Sequence, residues 1–344
     1  MSNIRAIEFI LPLIDGKFEV FANKFEGKVV VITGASGLIG LHLLAFFKFL
    51  RENDVNIRVI TSFFSNPLEL GWSWVEEDRV DLSNYDEARD FFFEKCRGAD
   101  YVWHCAGYGQ PLKFSQQPLS TIAINTIPLL ACFEALPKAQ MIFVSSSELY
   151  SGSSGMPHSE AQIGNTTPQH SRSAYIEGKR CGEAIIEGIR SLGGDAKSVR
   201  LALAFGPGVK LNDQRVLNQL MIKANVETRV ALLDSGSAIR TYIPGADAIF
   251  MFLKVLTEGK QSVYNVGGTH RTSILELAKL VCDISGASLV VPENDDEALT
   301  DAPTAVGLDT TRYINEFGVY DSSGVMETMH QLRNWYRYLL EEDK

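Results

Sequence analysis

The chain has 344 residues, 45% apolar and 22% charged, enough to bury a sizeable core as one large domain with a smaller lobe or as two domains. Thirty-two basic against 42 acidic residues leave a net charge of −10, which disfavours nucleic acid as the default partner. With no apolar run of ~20 residues, no secretory-signal pattern and no metal-ligand spacing among five cysteines and six histidines, the expectation is a reduced, cytoplasmic, metal-free protein without a membrane partner.

Residues 1–27 form an N-terminal extension without clear periodicity; Ile10, Leu11, Phe18 and Phe21 can cover an edge of the domain or meet another subunit. Residues 28–40 read KVVVITGASGLIG. Residues 29–32 are a β-branched run suited to a strand buried on both faces, residues 33–37 break it, and residues 38–50 read as a helix. Glycine permits positive φ and close backbone approach, and the helix N-terminus offers free N–H groups to a pyrophosphate, so this turn is a candidate dinucleotide cradle.

Residues 57–61 (IRVIT) read as a second strand. A dinucleotide-binding unit commonly carries an acid at this strand's end to bond the adenosine ribose, and here the position falls on Thr61, followed by Ser62. A hydroxyl still bonds ribose, and no arginine sits there for a 2′-phosphate, which favours NAD. Residues 79–82 (RVDL) read as a strand end, with Asp81 either reaching an adenine edge or capping a helix over residues 85–93. Residues 101–105 read as the fourth strand, entering the turn Ala106-Gly107-Tyr108-Gly109, whose small residues let backbone lie against a cofactor; His104 packs beside it.

A helix over residues 119–136 and a fifth strand at residues 141–145 follow. Alternating strands and helices imply an α/β doubly wound parallel sheet with ligands outside the strands' carboxyl ends. At such an end stands SSSELY (145–150), and YIEGK (175–179) follows about 25 residues on. On a helix Tyr175 and Lys179 share a face, and an ammonium beside a phenol is expected to lower its pKa from about 10. With a serine on the same substrate oxygen, such a trio takes the proton of an alcohol whose carbon gives hydride to a nicotinamide.

TGASGLIG (33–40), SSSELY (145–150), YIEGK (175–179) and RLALAFGPG (200–208) resemble the extended short-chain dehydrogenase/reductases, the NAD-dependent epimerase/dehydratase superfamily. Within it, FGPGVKLNDQRVLNQ (205–219), SGSAIRTYIPGAD (235–247) and SVYNVGG (262–268) are most similar to UDP-glucuronate decarboxylases. The resemblance implies a Rossmann domain over residues 28–200, with 236–266 returning to it, and a smaller C-terminal substrate-binding lobe from 201–235 and 267–344.

It implies bound NAD, cradled by Gly34, Gly37 and Gly40, with Leu38 and Ile39 beside the pyrophosphate and Thr61, Asp81, Leu82, Ala106, Tyr175 and Lys179 also in contact. Ser146, Tyr175 and Lys179 would be catalytic, and Glu148 occupies the place of a catalytic glutamate in decarboxylases and 4,6-dehydratases. Asn212 and Arg215, with Asp213, match a nucleotide-sugar loop, and Arg240 would meet the diphosphate.

Leu203 replaces an asparagine of the family pattern, and residues 296–306 (DEALTDAPTAV) lack the basic residues with which decarboxylases meet the substrate carboxylate. The implied chemistry is oxidation at C4 of a nucleotide sugar to a 4-keto sugar, followed by decarboxylation. The alternatives are 4-epimerisation, 4,6-dehydration or 4-oxidoreduction, or, from another class, NAD binding without turnover. A homodimer is also implied.

Overall fold

The apolar run at residues 29–32 becomes β1 (Lys28–Thr33) in the computed structural model, which describes residues 3–269, 271–292, 305–320 and 324–342. Ahead of it, α1 (Asn3–Ile10), two 3-10 segments and α2 (Ala22–Phe25) make an N-terminal segment of short pieces, which explains its lack of one period. Its Ile7, Ile10, Phe18, Phe21 and Phe25 are buried. The three phenylalanines pack on Phe46 and Phe47 of α3 (Leu38–Glu52). The segment therefore covers a helix of its own chain.

After α3 come β2 (Ile57–Phe63), β3 (Val75–Arg79), α4 (Tyr85–Asp90) and β4 (Tyr101–His104). Next are α5 (Pro111–Gln116), α6 (Pro118–Ile124), α7 (Ile127–Ala135), β5 (Gln140–Ser146), α8 (Ser173–Ser191) and β6 (Ala196–Leu201). The chain continues through β7 (Leu203–Phe205), α9 (Val216–Val226), β8 (Arg229–Ala231), β9 (Ile239–Pro244), α10 (Gly245–Glu258) and β10 (Val263–Val266). Beyond these lie β11 (Arg271–Ser273), α11 (Ile274–Ser285), β12 (Ser288–Val290), β13 (Ala305–Val306), α12 (Thr311–Phe317) and α13 (Val325–Glu342).

Seven parallel strands form the main sheet, in the order β10-β6-β5-β4-β1-β2-β3. Alternate residues of β1 serve opposite faces: Val30 and Ile32 join Leu43 and Phe47 of α3 and Phe252 of α10 in one core. Val31 joins Ala88 of α4, Leu129 of α7 and Ile186 of α8 in the other. Helices thus cover both faces, the doubly wound arrangement the sequence predicts. The strand order reverses between β1 and β4, opening a crevice at their carboxyl ends. A small sheet joins β9 to β7, β11 and β13, and β8 pairs with β12. Of residues 236–266, β10 lies in the main sheet and β9 in the small one.

The expected helix over residues 119–136 is two helices, α6 and α7, broken at Asn125 and Thr126 before Pro128, which cannot donate a backbone hydrogen bond. By length and composition alone, Pro118–Ala135 is apolar enough to cross a membrane. Here α6 packs on α8, and α7 on α4.

The candidate active site

The turn after β1 is built by close contact. Gly34 has φ +69°, and a Cβ there would stand 2.7 Å from the Cα of Ala106 in the turn after β4. At Gly40 a Cβ would come within 2.4 Å of the Cα of Ala35. Gly37 precedes α3 and donates its N–H to the Gly34 carbonyl at 3.0 Å. This backbone-walled turn opens on a cleft of about 560 Å³ whose lining includes Gly34, Gly37, Leu38, Ile39, Gly40, Asp81, Leu82 and Ala106.

His104 steadies the facing turn. Its Nε2 donates to the Ile124 carbonyl at 2.8 Å, so its Nδ1 accepts from the Thr33 hydroxyl, also at 2.8 Å. Burial pushes its pKa down to about 3, keeping the ring neutral and structural, as the sequence implied.

Thr61 departs from expectation. β2 runs two residues further because Phe63 pairs with Arg79 of β3. That leaves Thr61 fully buried within the strand, its hydroxyl donating to the Glu76 carbonyl at 3.3 Å. Ser62, Phe63, Phe64, Ser65 and Asn66 line the cleft instead. β3 likewise ends at Arg79, earlier than residues 79–82 suggested. Asn84, rather than Asp81, caps α4. Asp81 accepts from the Ser83 N–H and hydroxyl while lining the cleft.

Ser146 at the end of β5 and Tyr175 and Lys179 on α8 meet in the same cleft, with Glu148 beside them. Ser146 Oγ accepts the Glu148 N–H at 3.2 Å, and Lys179 Nζ donates to the Val144 carbonyl at 2.6 Å. Burial raises the Tyr175 pKa; its hydrogen bond with Ser146 and the nearby Arg172 and Arg215 pull it down, and Glu148 pushes it up. This reverses the lowered phenol pKa expected from Lys179, because burial dominates.

Burial lowers the Lys179 pKa to about 7. Above that pH the folded state binds fewer protons at Lys179 than the unfolded chain does, so stability rises with pH from about 7. The gain is expected up to about pH 9, where unfolded-state thiols begin to ionise and the buried cysteines oppose it. Denaturant titrations across this window should show the rise in the wild type and a flatter profile in Lys179→Met.

Beneath the site, Glu183, one turn after Lys179, fixes α8 to the sheet. Its Oε1 accepts from the Ser145 hydroxyl at 2.6 Å, and its Oε2 accepts Arg200 Nη2 at 2.8 Å. Arg200 is 5% exposed and also donates to the Tyr150 hydroxyl at 2.9 Å. Glu183→Gln leaves a buried guanidinium poorly compensated and is expected to cost about 3 kcal/mol, measured by urea unfolding.

Three expected contacts do not line the cleft among the described residues: Thr61, Asn212 and Arg240. Asn212 is exposed within the turn closed by the Asp213 N–H on the Lys210 carbonyl. Arg240, on β9, donates Nη1 to the Ile239 carbonyl at 2.8 Å. Arg215 does line the cleft, paired with Asp213 at 2.6 Å, as does Leu203. Most of residues 296–306 lie outside the described residues.

Among the lining residues that went unread in the sequence, two touch Tyr175 and Glu148. Phe114 of α5 stacks on the Tyr175 ring, centroids 4.9 Å apart, and Arg172 pairs with Glu148 at 3.0 Å. The only local signal for Arg172 is its position three residues before Tyr175.

Residues 30–267 match the NAD dependent epimerase/dehydratase family. The chain belongs to that family. The chain is similar to UDP-glucuronic acid decarboxylase 1 of Xenopus tropicalis, 25% identical over 270 residues, 78% of this chain and 62% of the relative. The match thus spans less than two thirds of that protein. The dTDP-4-dehydro-6-deoxy-D-allose reductase of a Streptomyces species is 26% identical over 92% of this chain and 98% of its own length. The fold is shared with the UDP-glucose 4-epimerase of Thermotoga maritima, solved with UDP-glucose: TM-score 0.75 and 21% identity over 91% of this chain and 99% of that one.

Proposed function

We propose that the protein uses NAD to oxidise C4 of a nucleotide-linked hexuronate and release its carboxyl group as carbon dioxide. The observation that carries the C4 step is the convergence of Ser146, Tyr175 and Lys179 on the cleft walled by the glycine turn; the likeness to the decarboxylase supports the loss of the carboxyl group. The cradle fits a dinucleotide: a Cβ at Gly34 or Gly40 would overlap the turn, and the amino end of α3 faces the cleft. Gly34, Gly37, Leu38, Ile39 and Gly40 would hold the pyrophosphate, with Asp81, Leu82 and Ala106 along the adenosine and nicotinamide sides.

When bound, NAD would supply the hydride acceptor for C4 and the source of the hydride that restores C4. Tyr175, in its ionised form, would take the C4 hydroxyl proton and later give it back, while Ser146 bonds the same oxygen. When protonated, below about pH 7, Lys179 places positive charge behind the phenol. The 4-ketone accepts the electron pair released when the C5–C6 bond breaks, and the resulting enolate is protonated at C5.

A second reading, reduction of a 4-keto sugar by the same trio, is favoured by the Streptomyces reductase, which matches over nearly its whole length. Incubating the NAD-loaded protein with UDP-glucuronate and a panel of UDP-, dTDP- and GDP-sugars, followed by mass spectrometry, separates the two. Loss of carbon dioxide from UDP-glucuronate supports the first. Reduction of a 4-keto sugar alone, with reduced dinucleotide supplied, establishes the second in its place.

The same resemblance supports a homodimer. Leu119, Ile122 and Leu130 on α6 and α7 are exposed beside α8. Sedimentation is expected to give a dimer, and Leu119→Glu with Leu130→Glu a monomer.

A further inference from the structure

We infer that Arg172 selects a carboxylated sugar, and that Glu148 holds its guanidinium in place until the sugar carboxylate displaces it; this rests on the C4-acting reading above. Arg172 is the residue preceding α8, so it reaches the cleft at the same end of the helix as Tyr175. Its guanidinium lies 5.5 Å from the Phe114 ring, which in turn stacks on Tyr175. Arg172, Arg215 and Glu148 all act on the ionisation of the Tyr175 hydroxyl. On a hexuronate, the carboxyl carbon sits two bonds from C4, so it falls among the same charges when C4 is at Tyr175.

The three nearby guanidiniums differ in what they have left to give. Arg215 is committed to both oxygens of Asp213, at 3.0 and 2.6 Å. Arg240 donates to a backbone carbonyl and lies off the cleft wall. Arg172 has Nη2 3.0 Å from one oxygen of Glu148 as an ion pair, while its Nε is buried with no hydrogen-bond partner among the described residues. A carboxylate approaching this guanidinium could use the Nε and Nη2 donors together, which the present pair does not.

Glu148 is held loosely in return. Beyond Arg172, its other oxygen meets only the Ser151 hydroxyl among the described residues, at 3.4 Å. The two side chains are 18% and 22% exposed, so the pair can open to solvent. Replacing one carboxylate by another leaves Arg172 paired. A sugar bearing a neutral C6 hydroxymethyl gives no such exchange, and the Arg172–Glu148 pair stays closed.

The test is calorimetric titration of UDP-glucuronate and UDP-glucose into the NAD-loaded wild type, Arg172→Gln, Arg172→Lys and Glu148→Gln. Arg172→Gln is expected to weaken UDP-glucuronate by about 10-fold or more and UDP-glucose by less than about 2-fold. Arg172→Lys should fall between, since a lysine keeps charge without the fork. Glu148→Gln removes the competitor and should hold or tighten UDP-glucuronate, a sign opposite to that of the arginine variants.

A pair with a purely structural role would weaken both ligands in all three variants, and that result overturns the inference. Equal losses for the two sugars in the arginine variants overturn it as well. If the wild type binds and oxidises UDP-glucose while Arg172 substitutions leave UDP-glucuronate untouched, the inference fails and the C4 reading stands. If the wild type binds no sugar nucleotide, both fail together.

Discussion

Tyr175→Phe is expected to cut turnover by about 10²- to 10⁴-fold, the range for losing a positioned proton-transfer group. The phenyl ring keeps the stack on Phe114 and the burial of its surroundings, so dinucleotide and sugar-nucleotide affinities should stay within about 2-fold. The hydroxyl is the group of α8 that hydrogen-bonds with Ser146 at the end of β5. Steady-state rates read with the two binding constants separate the effects: a fall in kcat at unchanged affinity supports the role. Wild-type turnover in Tyr175→Phe would remove Tyr175 from the chemistry.

Gly34→Ala is the second large expectation. The new Cβ would meet backbone atoms of Ala106 at 2.7 Å and of Cys105 at 2.9 Å, and backbone cannot swing aside as a flexible side chain can. The residue also sits at φ +69°, where an alanine costs about 1–2 kcal/mol. With about 1–3 kcal/mol for the overlap, a loss of roughly 2–5 kcal/mol in stability is expected. The strain separates the turns after β1 and β4, so dinucleotide affinity should collapse too. Urea unfolding and a fluorescence titration with NAD check both. A variant with unaltered stability and affinity would mean that the turn does not form the cradle.

What the sequence disclosed about this site follows how local each signal is. The glycine turn lies within residues 33–40, and Tyr175 and Lys179 within one helical turn, so their patterns could be read without knowing the fold. The end of β5 announces a serine, and the family resemblance picks Ser146 from the three in succession. Thr61 was misplaced because the end of β2 is set by pairing with β3, whose own position the short apolar stretch obscured. Asn84 took the cap expected of Asp81 for the same reason, β3 ending earlier than its apolar residues suggested.

The Tyr175 ionisation departs from expectation because spacing places Lys179 on the right face but says nothing of the burial that dominates both groups. Phe114 and Arg172 escaped because each acquires its meaning only from a neighbour across the cleft. The break at Asn125 and Thr126 was masked by an apolar composition that reads as continuous on both sides. The doubly wound sheet itself was legible, since β-branched runs alternating with helices repeat along the first 200 residues.

The central claim is that the reaction passes through oxidation at C4, and the most direct measurement is a single turnover with UDP-glucuronate carrying deuterium at C4. The NAD-loaded protein is quenched at early times, and the dinucleotide and sugar are analysed separately by mass spectrometry. The account predicts transient deuterium on the dinucleotide, its return to C4 of a product that has lost carbon dioxide, and no transfer in Tyr175→Phe on the same timescale. Product that forms while deuterium never leaves C4 would contradict it.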